Sequence, residues 1–367
     1  MSLLPRLVSY CEIIYRIIMA VKETGVSYYG LSYPEHARKD FEEMIAHNCN
    51  AVVLALTEFD IDFWFPNIIE ITKVAKELGM KVYLDTWGIG KWFGGEPPSL
   101  FLTNNPGNRQ VSALTGEPLP NACFNTHAFR DYFYRTVEKL AWEVPADGFF
   151  WDEPHYALPK GIASITGGVA DDWSCRCPVC RKQFEEQYGY PMPKLLTPEV
   201  VQFRENEALE TLRVASEKIK AIRPESKIIC CVHATQNTYY VTERRGYDNW
   251  DKVGSTKAFD VFSTTIINYN LPESFFRNIT KRTVDIAKKY GKGNQRWLMG
   301  YFNEPENLDR VKEICHLYDE MGVESIFAWT YRGGHGTVLA APRALQLWDK
   351  LGEAYGEILD PKFKIKK

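Results

Sequence analysis

Short apolar runs rich in β-branched residues alternate with longer amphipathic stretches from residue 26 to the end, and this alternation constrains the fold more than any other feature. The runs are Val26–Gly30, Ala51–Ala55, Lys81–Asp85, Gly148–Asp152, Lys227–Val232, Val261–Thr265, Arg296–Tyr301 and Ser325–Trp329. Their length and the turn residues around them read as buried strands. Helical periodicity occupies Pro34–Ala46, Phe65–Leu78, Ala128–Val144, Pro198–Ile222, Glu273–Tyr290, Leu308–Met321 and Ala341–Tyr355. Ile68, Ile71, Val74, Ala75 and Leu78 form one apolar stripe, and Val311, Ile314, Leu317, Tyr318 and Met321 repeat its offsets. The stretch Tyr247–Lys257 has only a weak helical signal. Eight strand–helix units predict an α/β fold, a (β/α)8 TIM barrel whose closed sheet leaves no edge to protect. A doubly wound open sheet is the alternative, but it wants a glycine-rich turn after the first strand. Gly30-Leu31-Ser32-Tyr33-Pro34 offers one glycine and an early proline.

With 367 residues, 45% hydrophobic and 25% charged, the chain can bury a large core. Its net charge of −3 supplies no basic field for nucleic acid or an anionic membrane, and the only basic cluster is Lys362, Lys364, Lys366 and Lys367. Ten Trp and twenty Tyr exceed what core filling needs, so part of them should line a cleft. The apolar stretch Cys11–Val21 is interrupted by Glu12 and Arg16 and lacks a small-residue cleavage site, which argues against a signal peptide or membrane span and predicts a cytoplasmic protein. Residues 1–20 therefore read as an N-terminal extension before a single barrel domain over 21–367.

Two connections are longer than a barrel requires: 86–126 after the third strand and 153–197 after the fourth. Both leave from carboxyl ends of neighbouring strands, so they should meet above the barrel mouth. Cys175-Arg176-Cys177-Pro178-Val179-Cys180 places three thiols within six residues of the second loop. Three reduced surface thiols are one reading. A tetrahedral zinc site is the other, with Cys123 of the first loop as fourth ligand and His155 as the reserve. A full shell would make the metal a structural staple between the loops. Cys49, Cys230, Cys231 and Cys315 read as small buried hydrophobes, and nine cysteines without even spacing do not form a disulfide framework.

In Gly148-Phe149-Phe150-Trp151-Asp152-Glu153-Pro154, two carboxylates emerge where a buried strand ends, the place parallel α/β folds keep their chemistry. Glu153 is the leading catalytic candidate. Adjacent strand residues point to opposite faces, so Asp152 can share its cleft only if the strand is already breaking up. Like-charge repulsion would then raise one of the two pKa values. Other strand ends add Asp85 and Trp87, His233, Asn268 and Tyr269, and Trp329, Tyr331 and His335. Gly333-Gly334-His335-Gly336 lacks a phosphate-binding lysine and reads as a loop at the mouth.

Asn121-Ala122-Cys123-Phe124-Asn125, Ala128-Phe129-Arg130-Asp131-Tyr132, Trp151-Asp152-Glu153 and the Cys175/Cys177/Cys180 cluster with Phe184 and Tyr188-Gly189 follow one another in an order that resembles glycoside hydrolase family 42 β-galactosidases. The detailed match covers roughly residues 80 to 190. The resemblance implies zinc held by Cys123, Cys175, Cys177 and Cys180. It also implies an acid/base glutamate at Glu153 and a nucleophile at Glu304, within Tyr301-Phe302-Asn303-Glu304-Pro305-Glu306. Asp152 stands where the family has asparagine, and the chain ends soon after its eighth unit, without the family's accessory domains.

The expectation is thus a retaining glycoside hydrolase, with Glu153 and Glu304 facing each other from the fourth and seventh strands. Asp85, Trp87, Asp152, His155, His233, Asn303, Trp329 and Tyr331 would contact the sugar. Carboxyls about 5 Å apart imply retention and ~6.5–9.5 Å inversion. A carbohydrate is the expected partner, with neither nucleic acid nor membrane, and a homo-oligomer is compatible with the pattern. The alternatives are a non-catalytic carbohydrate-binding barrel and a metal-dependent hydrolase using His155, His233 and His335 with Asp85, for which no H-E-x-x-H spacing exists.

Overall fold

A computed structural model of the chain describes residues 21–30, 33–93, 97–158, 172–234, 245–247, 249–265, 268–301 and 308–359. Parallel strands β1 (Glu23–Tyr28), β2 (Ala51–Ala55), β3 (Lys81–Asp85), β6 (Gly148–Trp151), β7 (Lys227–Val232), β8 (Val261–Thr264), β9 (Gly293–Met299) and β10 (Ser325–Trp329) close into a barrel in chain order. Two further strands, β4 (Arg109–Val111) and β5 (Pro118–Ala122), pair antiparallel inside the first long loop. Helices α1 (Pro34–Ala46), α2 (Glu58–Phe63), α3 (Phe65–Glu77), α4 (Leu100–Asn104), α5 (His127–Glu143), α6 (Pro178–Tyr188), α7 (Pro198–Ile222), α8 (Trp250–Ser255), α9 (Glu273–Lys289), α10 (Leu308–Glu320) and α11 (Ala344–Leu359) occupy the connections.

Strands of a barrel are covered on both faces, which is why β2, β6 and β10 are buried at every position and were visible as unbroken apolar runs. The helical stripes behave as their offsets predict: Ile68, Ile71 and Ala75 are buried, as are Val311, Ile314, Leu317 and Tyr318. Packing divides the chain into two compact units, residues 1–28, 39–52 and 266–367 in one, and 29–38 with 53–265 in the other. In the first, Glu23 pairs with Ser325 and Phe327 with Trp297, and Tyr355 of α11 donates its hydroxyl to the Gly25 carbonyl at 2.9 Å. In the second, Tyr83 pairs with Gly148, Phe149 with Ile228 and Cys230 with Phe262. Gly148 sits so close to its neighbour that a Cβ there would lie 2.1 Å from the Lys227 carbonyl oxygen.

Several boundaries differ from the sequence reading. β9 begins at Gly293, three residues before the expected Arg296, because polar Asn294, Gln295 and Arg296 lie inside it. Their burial is compensated in part: Arg296 donates to the Tyr318 hydroxyl at 2.9 Å, and Gln295 Oε1 accepts from Trp297 Nε1 at 3.0 Å. β1 starts at Glu23 and stops at Tyr28, earlier than Val26–Gly30. The weak segment near Tyr247 holds the six-residue α8, capped by Asn249, whose side chain accepts from the Lys252 N–H. The long loops contain α4 and the β4–β5 hairpin, both too short for periodicity to reveal, and α6, which buries only Cys180 and Phe184 and so shows no apolar stripe. The expected extension over residues 1–20 lies outside the described residues. Among the described residues no helix is long and apolar enough to cross a membrane.

Candidate active site and metal centre

Trp151 ends β6 with its ring against Phe93 and Phe133 and its Nε1–H on Ser216 Oγ of α7 at 3.0 Å, so its side chain faces the helical layer. Asp152, one residue on, turns to the other face and is buried. Glu153 has φ +44°. A non-glycine residue in the left-handed region costs about 1–3 kcal/mol and is kept only where the surroundings impose it. Here the His155 N–H donates to the Trp92 carbonyl at 2.8 Å, and His155 Nδ1 donates to the Glu153 carbonyl at 2.7 Å. This turn ends the strand alternation, so Asp152 and Glu153 join one electrostatic cluster despite being adjacent.

Asp85, at the end of β3, completes that cluster. It is fully buried, and neither carboxyl oxygen has a hydrogen-bond partner among the described residues. Burial, then the charges of Asp152 and Glu153, push Asp85 well above the usual carboxylate range. Burial followed by Glu153 does the same to Asp152. Glu153 is pushed up to about 7 by burial, against the opposing pull of Arg245. Such a carboxyl keeps its proton near neutrality, as a general acid must.

Two imidazoles flank these groups. His233 Nε2 lies 3.3 Å from Glu153 Oε2 and accepts from Arg245 Nη1. A ring nitrogen that accepts from a guanidinium carries no proton of its own, so the approach of Glu153 is favourable when the carboxyl brings one. Burial, then Arg245, holds His155 down at about 3, and the same causes, with His155 added, hold His233 well below its usual value. Both rings are therefore neutral.

Arg245 escaped the sequence reading. It belongs to no strand or periodic helix, and the only signal was Arg244-Arg245-Gly246, a pair of cations in the loop after the fifth barrel strand. Its carbonyl accepts from the Tyr156 N–H at 2.9 Å, and Gly246 (φ +90°) lies over the Tyr156 ring, where a Cβ would come within 2.6 Å of a ring carbon.

The other expected contact residues divide. Trp87 stacks on Tyr29, centroids 5.4 Å apart and planes 20° from parallel. Tyr331 is a correction: its hydroxyl lies 3.0 Å from both Asp40 Oδ1 and Glu43 Oε2, donating to one of them at a time, and its ring packs edge-on against Tyr28 and Trp348, so it is engaged with α1 and α11. Trp329 is buried beside Trp297. The Tyr269 hydroxyl accepts from the Met299 N–H at 3.0 Å, a packing role. Asn303 and Glu304 lie outside the described residues.

The thiols of Cys123, Cys175, Cys177 and Cys180 are all buried, which removes the surface-thiol reading, and their sulfurs lie within 4.8 Å of one another. Cys123 Sγ is 3.4 Å from Cys180 Sγ and 3.6 Å from Cys177 Sγ. Zn–S bonds of ~2.3 Å in a tetrahedron put sulfurs about 3.8 Å apart, so the set needs little adjustment to hold such an ion. Backbone N–H groups of Val111, Asn125 and Cys180 point at Cys175, Cys123 and Cys177, at 3.3, 3.4 and 3.5 Å, as negative sulfur requires. Cys177 also caps α6. Arg130 holds Asn125 Oδ1 at 3.0 Å while Asn125 Nδ2 donates to Cys180 Sγ at 3.4 Å.

His155, the reserve ligand, stands apart from this group. Among the described residues the four cysteines are the one set of three or more potential ligands so gathered, and His155, His233 and Asp85 form no such set. The metal-dependent hydrolase reading therefore loses its centre. A short path links the cysteines to the carboxylates: Phe124, next to Cys123, stacks on Trp92 at 4.2 Å and touches Tyr156 at 4.8 Å. Trp92 and Tyr156 in turn hold the backbones of His155 and Arg245.

No family model and no curated protein sequence matches this chain. Solved structures do. The β-galactosidase of the Antarctic haloarchaeon Halorubrum lacusprofundi is similar with a TM-score of 0.69 at 14% identity, over 92% of this chain and 58% of that one. A GH42 β-galactosidase from G. stearothermophilus is similar with a TM-score of 0.67 at 12% identity, over 92% and 57%. The glycoside hydrolase domain of PgaB (BpsB) from Bordetella bronchiseptica is similar with a TM-score of 0.59 at 12% identity, over 90% of this chain and 98% of that domain. The chain spans less than two thirds of the β-galactosidases, and at these identities the likeness is one of fold: a GH42-like (β/α)8 barrel.

Proposed function

We propose that the chain is a retaining glycoside hydrolase, with Glu153 as general acid/base, Glu304 as nucleophile and a carbohydrate as substrate. The observation that carries this reading is Glu153 itself, a carboxyl pushed up to about 7 at the carboxyl end of a barrel strand in a glycosidase-like fold. In the first step the Glu153 proton passes to the glycosidic oxygen as the C–O bond breaks, while a Glu304 oxygen bonds to the anomeric carbon. In the second, Glu153, now ionised, takes a proton from water as that water displaces Glu304. Glu304 follows β9, the seventh barrel strand, by five residues, a chain position suited to this role.

The four cysteines would hold zinc. A zinc ion bound by four thiolates supplies a crosslink and no open coordination position, so the chemistry stays with the carboxyls. Its place in this reading is mechanical, tying the hairpin loop and α6 together beneath Phe124 and Tyr156.

Aryl glycosides of both anomers, offered to wild type, Glu153→Gln and Glu304→Gln, test the assignment. Turnover by wild type, abolished in each variant with sugar binding retained, is the expected outcome. Hydrolysis indifferent to either substitution removes the assignment, and sugar binding without turnover by wild type leaves a carbohydrate-binding barrel.

A further inference from the structure

The cluster holds more carboxyl groups than an acid/base glutamate needs. Asp85 comes from β3, Asp152 and Glu153 from the end of β6, and the facing groups are His155, His233, Cys231 and Arg245, with Lys91 bearing on His155. Among the described residues Arg245 is the one cation acting on Glu153, and it is engaged with His233. Both imidazoles are neutral, so among the described residues no cation answers Asp85 or Asp152, and the ionisation of either is opposed by the neighbouring carboxyls. Asp85 is the sharper case, being wholly buried with two oxygens lacking partners among the described residues. Buried polar groups are otherwise almost always paired, so an unpaired one beside a catalytic candidate points to a partner that arrives with the ligand.

A cationic donor is the partner that answers all of these carboxyls, because its charge draws the proton from Asp85 and leaves a carboxylate that only accepts. A sugar hydroxyl also donates to a carboxylate, but it brings no positive charge to offset the repulsion among Asp85, Asp152 and Glu153. A metal ion is disfavoured by geometry: among the described residues these carboxyls and imidazoles do not bring three ligand atoms within 4.8 Å of one another. A cation carried on a larger ligand, making charge-assisted hydrogen bonds to well-separated carboxylates, satisfies both constraints.

We propose that the sugar bound beside the scissile linkage bears a protonated primary amine, a hexosaminide without its N-acetyl group, with Asp85 as the principal receptor of the ammonium and Asp152 as its support. This rests on the glycosidase reading above and gives it a substrate class. The ammonium replaces the missing partner of Asp85 and relieves the mutual repulsion of the two aspartates. An acetamide in the same place brings one neutral donor and no charge, and a hydroxyl brings no charge either.

The test compares kcat/KM at neutral pH for aryl glucosaminides and galactosaminides of both anomers with their N-acetyl and parent hexoside counterparts, together with calorimetric binding of fully deacetylated glucosamine oligomers and their N-acetyl equivalents. A charge-assisted hydrogen bond corresponds to a preference of at least ~10-fold for the free amine. Asp85→Asn should lower the rate on the amine more than on the parent sugar, collapsing that ratio. Should Asp85→Asn fail to fold, the wild-type comparison decides alone, and Asp152→Asn supplies the partial effect. Hydrolysis of parent or acetylated glycosides as fast as of the amines overturns this inference while the hydrolase stands. Asp85-dependent binding of glucosamine oligomers with no glycoside hydrolysed upholds the amine site and sinks the hydrolase.

Discussion

Replacing the candidate acid by its amide should make the protein inactive and, at alkaline pH, more stable. In Glu153→Gln the side chain keeps its shape, the backbone at φ +44° is unchanged, and only the titration disappears. The glutamate side chain is about one-fifth exposed, and its carboxyl rises from an ordinary 4.5 to about 7 in the folded protein. A folded value above the unfolded one means that the stability this group contributes is fully present below pH 4.5 and is lost as pH rises through 7. At ~1.4 kcal/mol per pH unit between the two values, ionising Glu153 costs the fold about 3 kcal/mol at pH 8. With an unfolding entropy of ~2.1 cal/mol/K per residue, that corresponds to roughly 4 °C in Tm for a chain of this size. Calorimetric melting of both proteins at pH 4.5 and pH 8 is the assay. The variant should melt with wild type at the lower pH and about 4 °C above it at the higher. A variant equal to or less stable than wild type at pH 8 would show that burial does not hold the proton on Glu153, and the general-acid argument would go with it.

Three further outcomes follow from the same contacts. Arg245→Gln removes the one charge that pulls Glu153 down, so the alkaline limb of kcat/KM should move to higher pH, and a downward move would contradict the arrangement. Cys177→Ser takes one thiolate from the buried set; zinc affinity should fall by more than ~100-fold and Tm should drop, whereas undiminished zinc by elemental analysis would refute the staple. Gly148→Ala forces a methyl into the Lys227 carbonyl, so denaturant unfolding should show a loss of about 3 kcal/mol, and a loss below ~1 kcal/mol would mean that β6 and β7 can part without penalty.

The barrel was legible because its strands are covered on both faces: Ala51–Ala55 and Ile326–Trp329 are unbroken apolar runs, and the stripes at Ile68 and Val311 mark helices with one buried side. The gathering of the cysteines was partly legible for a local reason, since Cys175, Cys177 and Cys180 lie on one turn and the first residues of one helix. Where buried polar residues satisfy each other, as Gln295 and Arg296 do with Trp297 and Tyr318, the pattern that betrays a strand vanished and β9 was placed late.

Chain order alone determined that two carboxylates leave the fourth barrel strand and that four cysteines lie in the neighbouring loops. Only the tertiary structure decided that Asp152 and Glu153 join one carboxyl cluster, because a left-handed turn cancels the alternation that adjacency implies. It also decided that Tyr331 serves packing, that His155 stands apart from the cysteines, and that Arg245 and Asp85 bracket the acid from distant segments. The proton on Glu153 belongs to this second class: burial and neighbouring charge set it, and both are properties of the folded chain that no local pattern encodes.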